Sequence, residues 1–224
     1  MTIPVCPVSA QGTTVSIDSP PSVVEGGTFV VKVNITGVTN LAAWQFAIAY
    51  NPAVIRVIGA EGGAGITAGL MNGTTPAPVS AWSFFPLGTQ GVVRVVGWVS
   101  NVMQLSGSGY LAQVNFQVLP GTAGQSSSID FVDLPGATPP FTRGLLDPLG
   151  DPITGVTWTN GSVVVSPLRG DANGDGVVNM GDAVKVMRII LGLDPVTPGA
   201  DANGDGLVNM GDVTKIQRII LGLP

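Results

Sequence analysis

Residues 170–223 are a tandem repeat, and that repeat fixes most of what the end of the chain can become. GDANGDGVVNMGDAVKVMRIILGL (170–193) returns as ADANGDGLVNMGDVTKIQRIILGL (200–223) at a period of 30, with 18 of the 23 positions from Asp171 to Leu193 identical to their partners. Each copy opens with a twelve-residue loop that carries oxygen-bearing side chains at positions 1, 3, 5, 9 and 12. In the first loop these are Asp171, Asn173, Asp175, Asn179 and Asp182; in the second they are Asp201, Asn203, Asp205, Asn209 and Asp212. The main-chain carbonyls of Val177 and Leu207 fill position 7. Calcium takes six to eight hard oxygen ligands in a flexible shell, which this alternation supplies from a tight turn. Gly176 and Gly206 stand at position 6, where the chain bends too sharply for a β-carbon. An Asp/Asn/Gly-rich surface turn could imitate one such loop, but two near-identical copies point to two Ca2+ sites, one per repeat.

An apolar stripe at helical spacing follows each loop: Val184, Met187, Ile190 and Leu191, then Val213, Ile216, Ile220 and Leu221. Gly192 and Gly222 end the two predicted helices. Helices this short must pack on each other, with metal ordering the loops. The loops depart from an ordinary EF-hand in having Asp at position 12. The flanks SPLRG and DPVTPGA also admit no entering helix.

A duplicated loop with only its exiting helix resembles the dockerin family, over 170–223. The resemblance implies a calcium-folded module that docks on a cohesin. Its partner-reading positions, loop positions 10 and 11 and the following helix, fall on Met180, Gly181, Met187 and Arg188, and on Met210, Gly211, Gln217 and Arg218. Many dockerins carry hydroxyl residues at positions 10 and 11, where this chain has Met-Gly. Met187 suits core packing as well as partner contact. Because both repeats share Met-Gly and Arg-Ile-Ile-Leu-Gly-Leu, turning the module by about 180° presents a similar surface, and two docking orientations are expected.

The sequence changes character near residue 166. Before it run nine candidate strands separated by Gly, Pro, Asn and Ser: 14–18, 28–36, 42–50, 54–60, 79–85, 92–100, 110–119, 127–133 and 156–165. No amphipathic helix interrupts them, so the pattern reads as an all-β sandwich. In the third run Trp44, Phe46, Ile48 and Tyr50 alternate with Ala43, Gln45, Ala47 and Ala49, which puts the aromatic set in the core. Charged residues are only 10% of the chain and mean hydropathy is +0.44. No apolar run reaches the roughly 18 residues of a spanning helix, so much apolar surface is expected to be hidden against neighbours. The absence of histidine and the single cysteine, Cys6, exclude His-based triads, His-ligated zinc and disulfides within the chain. A net charge of −5 gives no nucleic-acid footprint. The N-terminus lacks the basic and long apolar regions of a signal peptide, so the chain reads as a mature or trimmed secreted protein. Sequons at Asn34, Asn72 and Asn160 are compatible with that.

Beside a dockerin, the front half is similar to the cohesin family. VTNLAAWQFAIAYNPAVIRVIGAEGG (38–63) looks like the cohesin segment in which a strand ends in a Tyr-Asp/Asn-Pro turn, and the later strands follow in the right order. The resemblance implies a jelly-roll sandwich over 14–165, after an arm at 1–13, with a linker at 166–169 leading to the dockerin-like domain at 170–224. It implies a docking face on the third, fifth, sixth and eighth strands, whose outward positions are Ala43, Gln45, Ala47, Ser83, Phe85, Arg94, Val96 and Trp98. Cohesins commonly place polar and acidic groups there; the residues here favour an apolar interface. A slip of one residue in register would instead bury Phe85 and Trp98.

Both halves of a docking pair on one chain suggest a secreted subunit, not an enzyme, that assembles head-to-tail with copies of itself into a calcium-dependent extracellular filament. The alternative is an adaptor that joins a dockerin-bearing enzyme to a foreign cohesin. A carbohydrate-binding module using Trp82 and Trp98 is a third reading.

Overall fold

The structure, a computed structural model, describes residues 12–100, 104–137 and 139–224; Cys6 and most of the expected N-terminal arm lie outside the described residues. The strands are β1 (Thr14–Asp18), β2 (Ser22–Val24), β3 (Thr28–Leu41), β4 (Ala43–Tyr50), β5 (Ile55–Val57), β6 (Ile66–Met71), β7 (Thr75–Ala77), β8 (Val79–Phe84), β9 (Val92–Trp98), β10 (Leu105–Val118), β11 (Ser126–Val132), β12 (Gly144–Leu146), β13 (Thr157–Thr159) and β14 (Gly161–Ser166). Two helices follow, α1 (Met180–Ile190) and α2 (Met210–Ile220). One sheet runs β13-β1-β3-β10-β6-β7 with β5 also on β10, and the other runs β2-β14-β11-β4-β9-β8 with β12 on β4. The architecture is a jelly-roll-like sandwich followed by a small helical module.

Period-two alternation builds the core. Trp44, Phe46, Ile48 and Tyr50 of β4 are buried against Val31, Val33 and Ile35 of β3 and Val114 and Phe116 of β10. Tyr50 meets Phe116 edge-on at 5.1 Å, and Phe116 stacks on Phe29 at 5.4 Å, so aromatic contacts tie one sheet to the other. Burying each such side chain stabilises the fold by about 1.5–3 kcal/mol. The Tyr-Asn-Pro turn after β4 is held by Asn51, whose Oδ1 accepts the Ala53 amide at 3.0 Å.

Several strands differ from the expectation of nine. β2, β6, β7 and β12 carry no strong β signal. In β6, ITAGLM, a β-carbon on Gly69 would lie 1.9 Å from the Tyr110 carbonyl oxygen, so close approach to β10 dictates a residue with low strand propensity. The run at 156–165 is two strands, β13 and β14, that belong to different sheets. Trp82 is buried and its Nε1 donates to the Gly63 carbonyl at 2.9 Å, which removes it from any sugar platform with Trp98.

The helices pack on each other around Ala183, Val186, Ile189, Val213 and Ile216, with Ala172, Ala200 and Ala202 from the loops. The stripe expected in α1 is corrected: Val184, Met187, Ile190 and Leu191 are exposed, and Ala183, Val186 and Ile189 face inward. In α2, Val213 and Ile216 are buried as expected, but Ile220 and Leu221 are exposed. Valine and isoleucine occur on both sides of these helices, so periodicity alone fits either phase. The closing aspartate decides it: Asp182 must turn inward to its loop, and Ala183, Val186 and Ile189 share its face. Gly192 and Gly222, at φ +69° and +66°, terminate the helices, with the Leu193 amide reaching back to Arg188 O and the Leu223 amide to Arg218 O.

The Trp44 indole lies flat over Gly97 of β9, where an added β-carbon would fall 2.1 Å from Trp44 Cε2. Gly97→Ala is expected to destabilise the sandwich by about 1–3 kcal/mol through overpacking. Chemical denaturation followed by tryptophan fluorescence measures this; an unchanged midpoint would mean that the indole has room to move.

Candidate metal loops and docking face

Each loop is organised by its own carboxylates. Asp171 Oδ1 accepts the amides of Gly174 (2.8 Å) and Asp175 (3.2 Å), and its Oδ2 accepts that of Gly176 (2.8 Å). Asp175 Oδ1 accepts the Val177 amide at 2.9 Å. Asp182 closes the loop: Oδ1 accepts the Asn173 amide at 3.0 Å and Oδ2 the Asn179 amide at 2.8 Å. The second bond makes a capping box, in which Asn179 caps α1 and accepts the Gly181 amide at 2.7 Å. The second loop repeats this pattern through Asp201, Asp205, Asn209 and Asp212. Position 6 needs glycine, since Gly176 and Gly206 both sit at φ +86°.

The donors fit a hard divalent cation. Asp182 and Asp212 are both 0% exposed, Asp171 is nearly so, and no Lys or Arg pairs with any of them among the described residues. Burial pushes the Asp171 carboxyl up, opposed by the amides of Gly176, Gly174 and Asp175, and the charge of Asp182 pushes it further up. Buried like charges without a counter-ion cost several kcal/mol, which a bound cation would offset. Among the described residues no three acids converge on one point, and Asn173 Nδ2 donates to Asp175 Oδ2 at 2.9 Å. Asparagine and carbonyl oxygens therefore complete any shell, as calcium accepts. The residues that would hold it are Asp171, Asn173, Asp175, Asn179, Asp182 and the Val177 carbonyl, with their second-loop counterparts. The group would supply compensating charge and hold the loop shut.

The four strands named from sequence as a docking face stand side by side in the order β11-β4-β9-β8. On their outer side Trp98 is 59% exposed, beside an open groove of about 630 Å³ lined by Pro76, Pro78, Ser80, Val99 and Ser100. Ala43, Gln45, Ser83, Phe85, Arg94 and Val96 are partly exposed. Ala47 is a correction: it is fully buried between Arg94 and Val132 on the neighbouring strands. The connection after β11 covers part of this face, and periodicity gave no sign of it. Gln45 Nε2 donates to the Thr142 carbonyl at 2.5 Å. Arg94 Nη2 donates to Ser83 Oγ at 3.0 Å, and its guanidinium lies over Phe85 (5.2 Å) and Phe141 (5.9 Å). On the helical module Met180 is 53% and Met210 57% exposed, and Gly181, Arg188, Gly211, Gln217 and Arg218 are exposed too. Met187 lies on the surface rather than in the core.

A family model for the cohesin domain matches residues 13–165. The chain belongs to the cohesin family. A model for the dockerin type I domain matches residues 169–221, so the same chain also carries a dockerin. Both are protein-interaction modules without catalytic function, and the chain is not an enzyme. Similar solved structures include a type II cohesin domain from the cellulosome of Acetivibrio cellulolyticus, at 20% identity and TM-score 0.51, covering 68% of this chain and 95% of that one. CaCohA2 from Clostridium acetobutylicum is 19% identical with TM-score 0.50, covering 74% of this chain and 96% of that one. At such identities the likeness is one of fold. No curated protein matches the chain. No helix among the described residues is long and apolar enough to cross a membrane.

Replacing the closing aspartate of the first dockerin loop, Asp182→Ala, leaves two amides without an acceptor and breaks the capping box. The expected loss is about 1–3 kcal/mol of dockerin stability in calcium-containing buffer. Thermal melts of the helical circular dichroism signal measure it; a loss under about 0.5 kcal/mol, the usual range of an uninvolved surface change, would show that the amides find other acceptors.

Proposed function

We propose that the chain is a secreted structural subunit whose dockerin docks on the outer cohesin face of a neighbouring copy, with calcium in both loops holding the dockerin folded. The observation that carries this reading is the joint between the modules. β14 ends at Ser166 and the first loop begins at Asp171, so the connecting residues span at most about 14 Å. The first loop lies against the end of its own sandwich, where a β-carbon on Gly26 would sit 3.3 Å from Gly176 O. Arg169 lies against Gly204 of the second loop. A dockerin held this way does not reach round to the outer face of its own cohesin, so docking runs between molecules. A head-to-tail contact that does not close on itself propagates as a filament.

The two surfaces match in kind: Trp98 and Val96 on the cohesin, methionines at the heads of both dockerin helices. Association is driven by apolar burial, at roughly 25 cal/mol per Å² before ordering costs. Unbranched methionines adapt to an aromatic surface. Extracellular calcium suits loops of this type, whose affinities in extracellular modules lie around 10⁻⁴–10⁻³ M.

Sedimentation velocity tests the assembly. In calcium the mean mass is expected to grow with protein concentration; in chelator the protein is expected to be monomeric, with helical signal lost and β signal retained. A monomer at every concentration in calcium would rule out self-docking and favour the adaptor reading, in which the partners are foreign.

Trp98→Ala should leave the sandwich folded, because its side chain is mostly exposed, yet weaken association by at least about 2 kcal/mol if Trp98 is the anchor. Unfolding of the variant would assign Trp98 a core role, and unchanged assembly would move the docking face elsewhere.

A further inference from the structure

The two dockerin repeats differ where they would meet a partner. Asp194, just after α1, accepts from Arg188 Nε at 2.8 Å and Nη2 at 3.1 Å, and from Lys185 Nζ at 3.0 Å. Arg188, and then Lys185, hold its carboxyl well below the usual carboxylate range. One period later the equivalent residue is Pro224. The counterparts Lys215 and Arg218 make no side-chain ion pair among the described residues. The exposed stripes differ as well. α1 presents Met180, Val184 and Met187, whereas α2 presents Met210, Thr214 and Gln217, with the Thr214 hydroxyl donating to Met210 O at 3.0 Å. The first repeat thus shows an apolar surface whose cations are already neutralised. The mid-helix stripe of the second is more polar, and among the described residues Lys215 and Arg218 have no acidic partner.

On β9 of the outer cohesin face the cation Arg94 precedes Val96 and Trp98, while Arg143, which lines the groove beside Gln45 and Val96, is paired with Asp133 at 3.8 Å. The carboxylate of Asp130 lies on β11 beside Ala49, at the far end from Trp98. Docking α2 here would strip water from Lys215 and Arg218 against an apolar wall and beside a like charge, which is unfavourable. Docking α1 would bury Val184 and Met187, and Asp194 would travel with its two cations. We propose that the cohesin face accepts the first repeat of a neighbouring copy and rejects the second, with Asp194 as the residue that breaks the pseudo-symmetry. The proposal rests on the self-docking reading above. It replaces the two orientations expected from the repeat with one.

Three substitutions in the full chain, in calcium, test it by the apparent dissociation constant for self-association. Lysine is a good helix former, so Met187→Lys and Gln217→Lys at exposed mid-helix positions should both keep the dockerin folded. Met187→Lys is expected to weaken association at least tenfold, and Gln217→Lys less than twofold. Asp194→Asn, which frees Arg188 and Lys185, is expected to weaken it about threefold or more, with a larger effect at low salt. Equal losses for the two lysine variants, or a loss confined to Gln217→Lys, would overturn the proposal, as would an Asp194→Asn variant that assembles like wild type. A wild-type chain that stays monomeric in calcium overturns self-docking itself, and with it this proposal.

Discussion

A single side chain in each repeat, the aspartate at loop position 12, ties together the metal loop, the helix and the surface that the helix presents. Asp182 accepts amides from both ends of its loop, completes the N-terminal cap of α1, and is wholly buried. Asp212 does the same for α2. Because the carboxylate points inward, it fixes the phase of each helix about its axis. The residues on its face become core, and the next stripe round becomes surface. In α1 that surface stripe is Val184, Met187, Ile190 and Leu191, an apolar strip exposed by electrostatic necessity rather than by lack of a polar alternative. Asp171, Asp182 and Asp212 are buried carboxylates held by main-chain amides, an arrangement that a bound cation would stabilise.

The cohesin module follows a different logic, in which packing density does the work that charge does in the dockerin. The aromatic ladder on β4 fills the space between the sheets, and Gly97 on β9 is bare because the Trp44 indole occupies the place of its side chain. Inward packing of β4 and β9 throws Val96 and Trp98 outward on the opposite side of the sheet. Arg94 lies over the rings of Phe85 and Phe141 and is hydrogen-bonded to Ser83, so β8 and the connection after β11 together hold it in place. The outer face therefore carries Arg94 and an exposed indole, with Arg143 lining the groove beside Gln45 and Val96.

Only a few residues join the two modules, which places the dockerin at one end of the cohesin sandwich. The glycine-lined contact between Gly26, Pro120 and Gly176 lets backbone approach backbone, and it keeps the dockerin at one end of the sandwich. Under the self-docking proposal, that placement would pass a contact from copy to copy. The clamp of Asp194 on Arg188 and Lys185 adds a polarity within the dockerin that the repeat would otherwise lack.

The sequence by itself determined the two tight glycine-bent loops, the duplicated helices, the all-β front module and the core role of Trp44, Phe46, Ile48 and Tyr50. These features rest on local chemistry: the spacing of Asp and Asn, glycine where φ is positive, and strict alternation along one strand. Only the tertiary structure decided which stripe of α1 is buried, since apolar residues occur on both sides and the inward turn of Asp182 breaks the tie. It also decided that ITAGLM is a strand, because the demand for Gly69 comes from β10 far along the chain. The burial of Ala47 and of Trp82 depends on neighbours that no local pattern names. The same holds for Asp194, an ordinary acid in a Pro-rich connection until the fold brings it onto two cations of α1. What is encoded within a few residues is legible in one dimension; what depends on side chains distant in sequence is settled only when they meet.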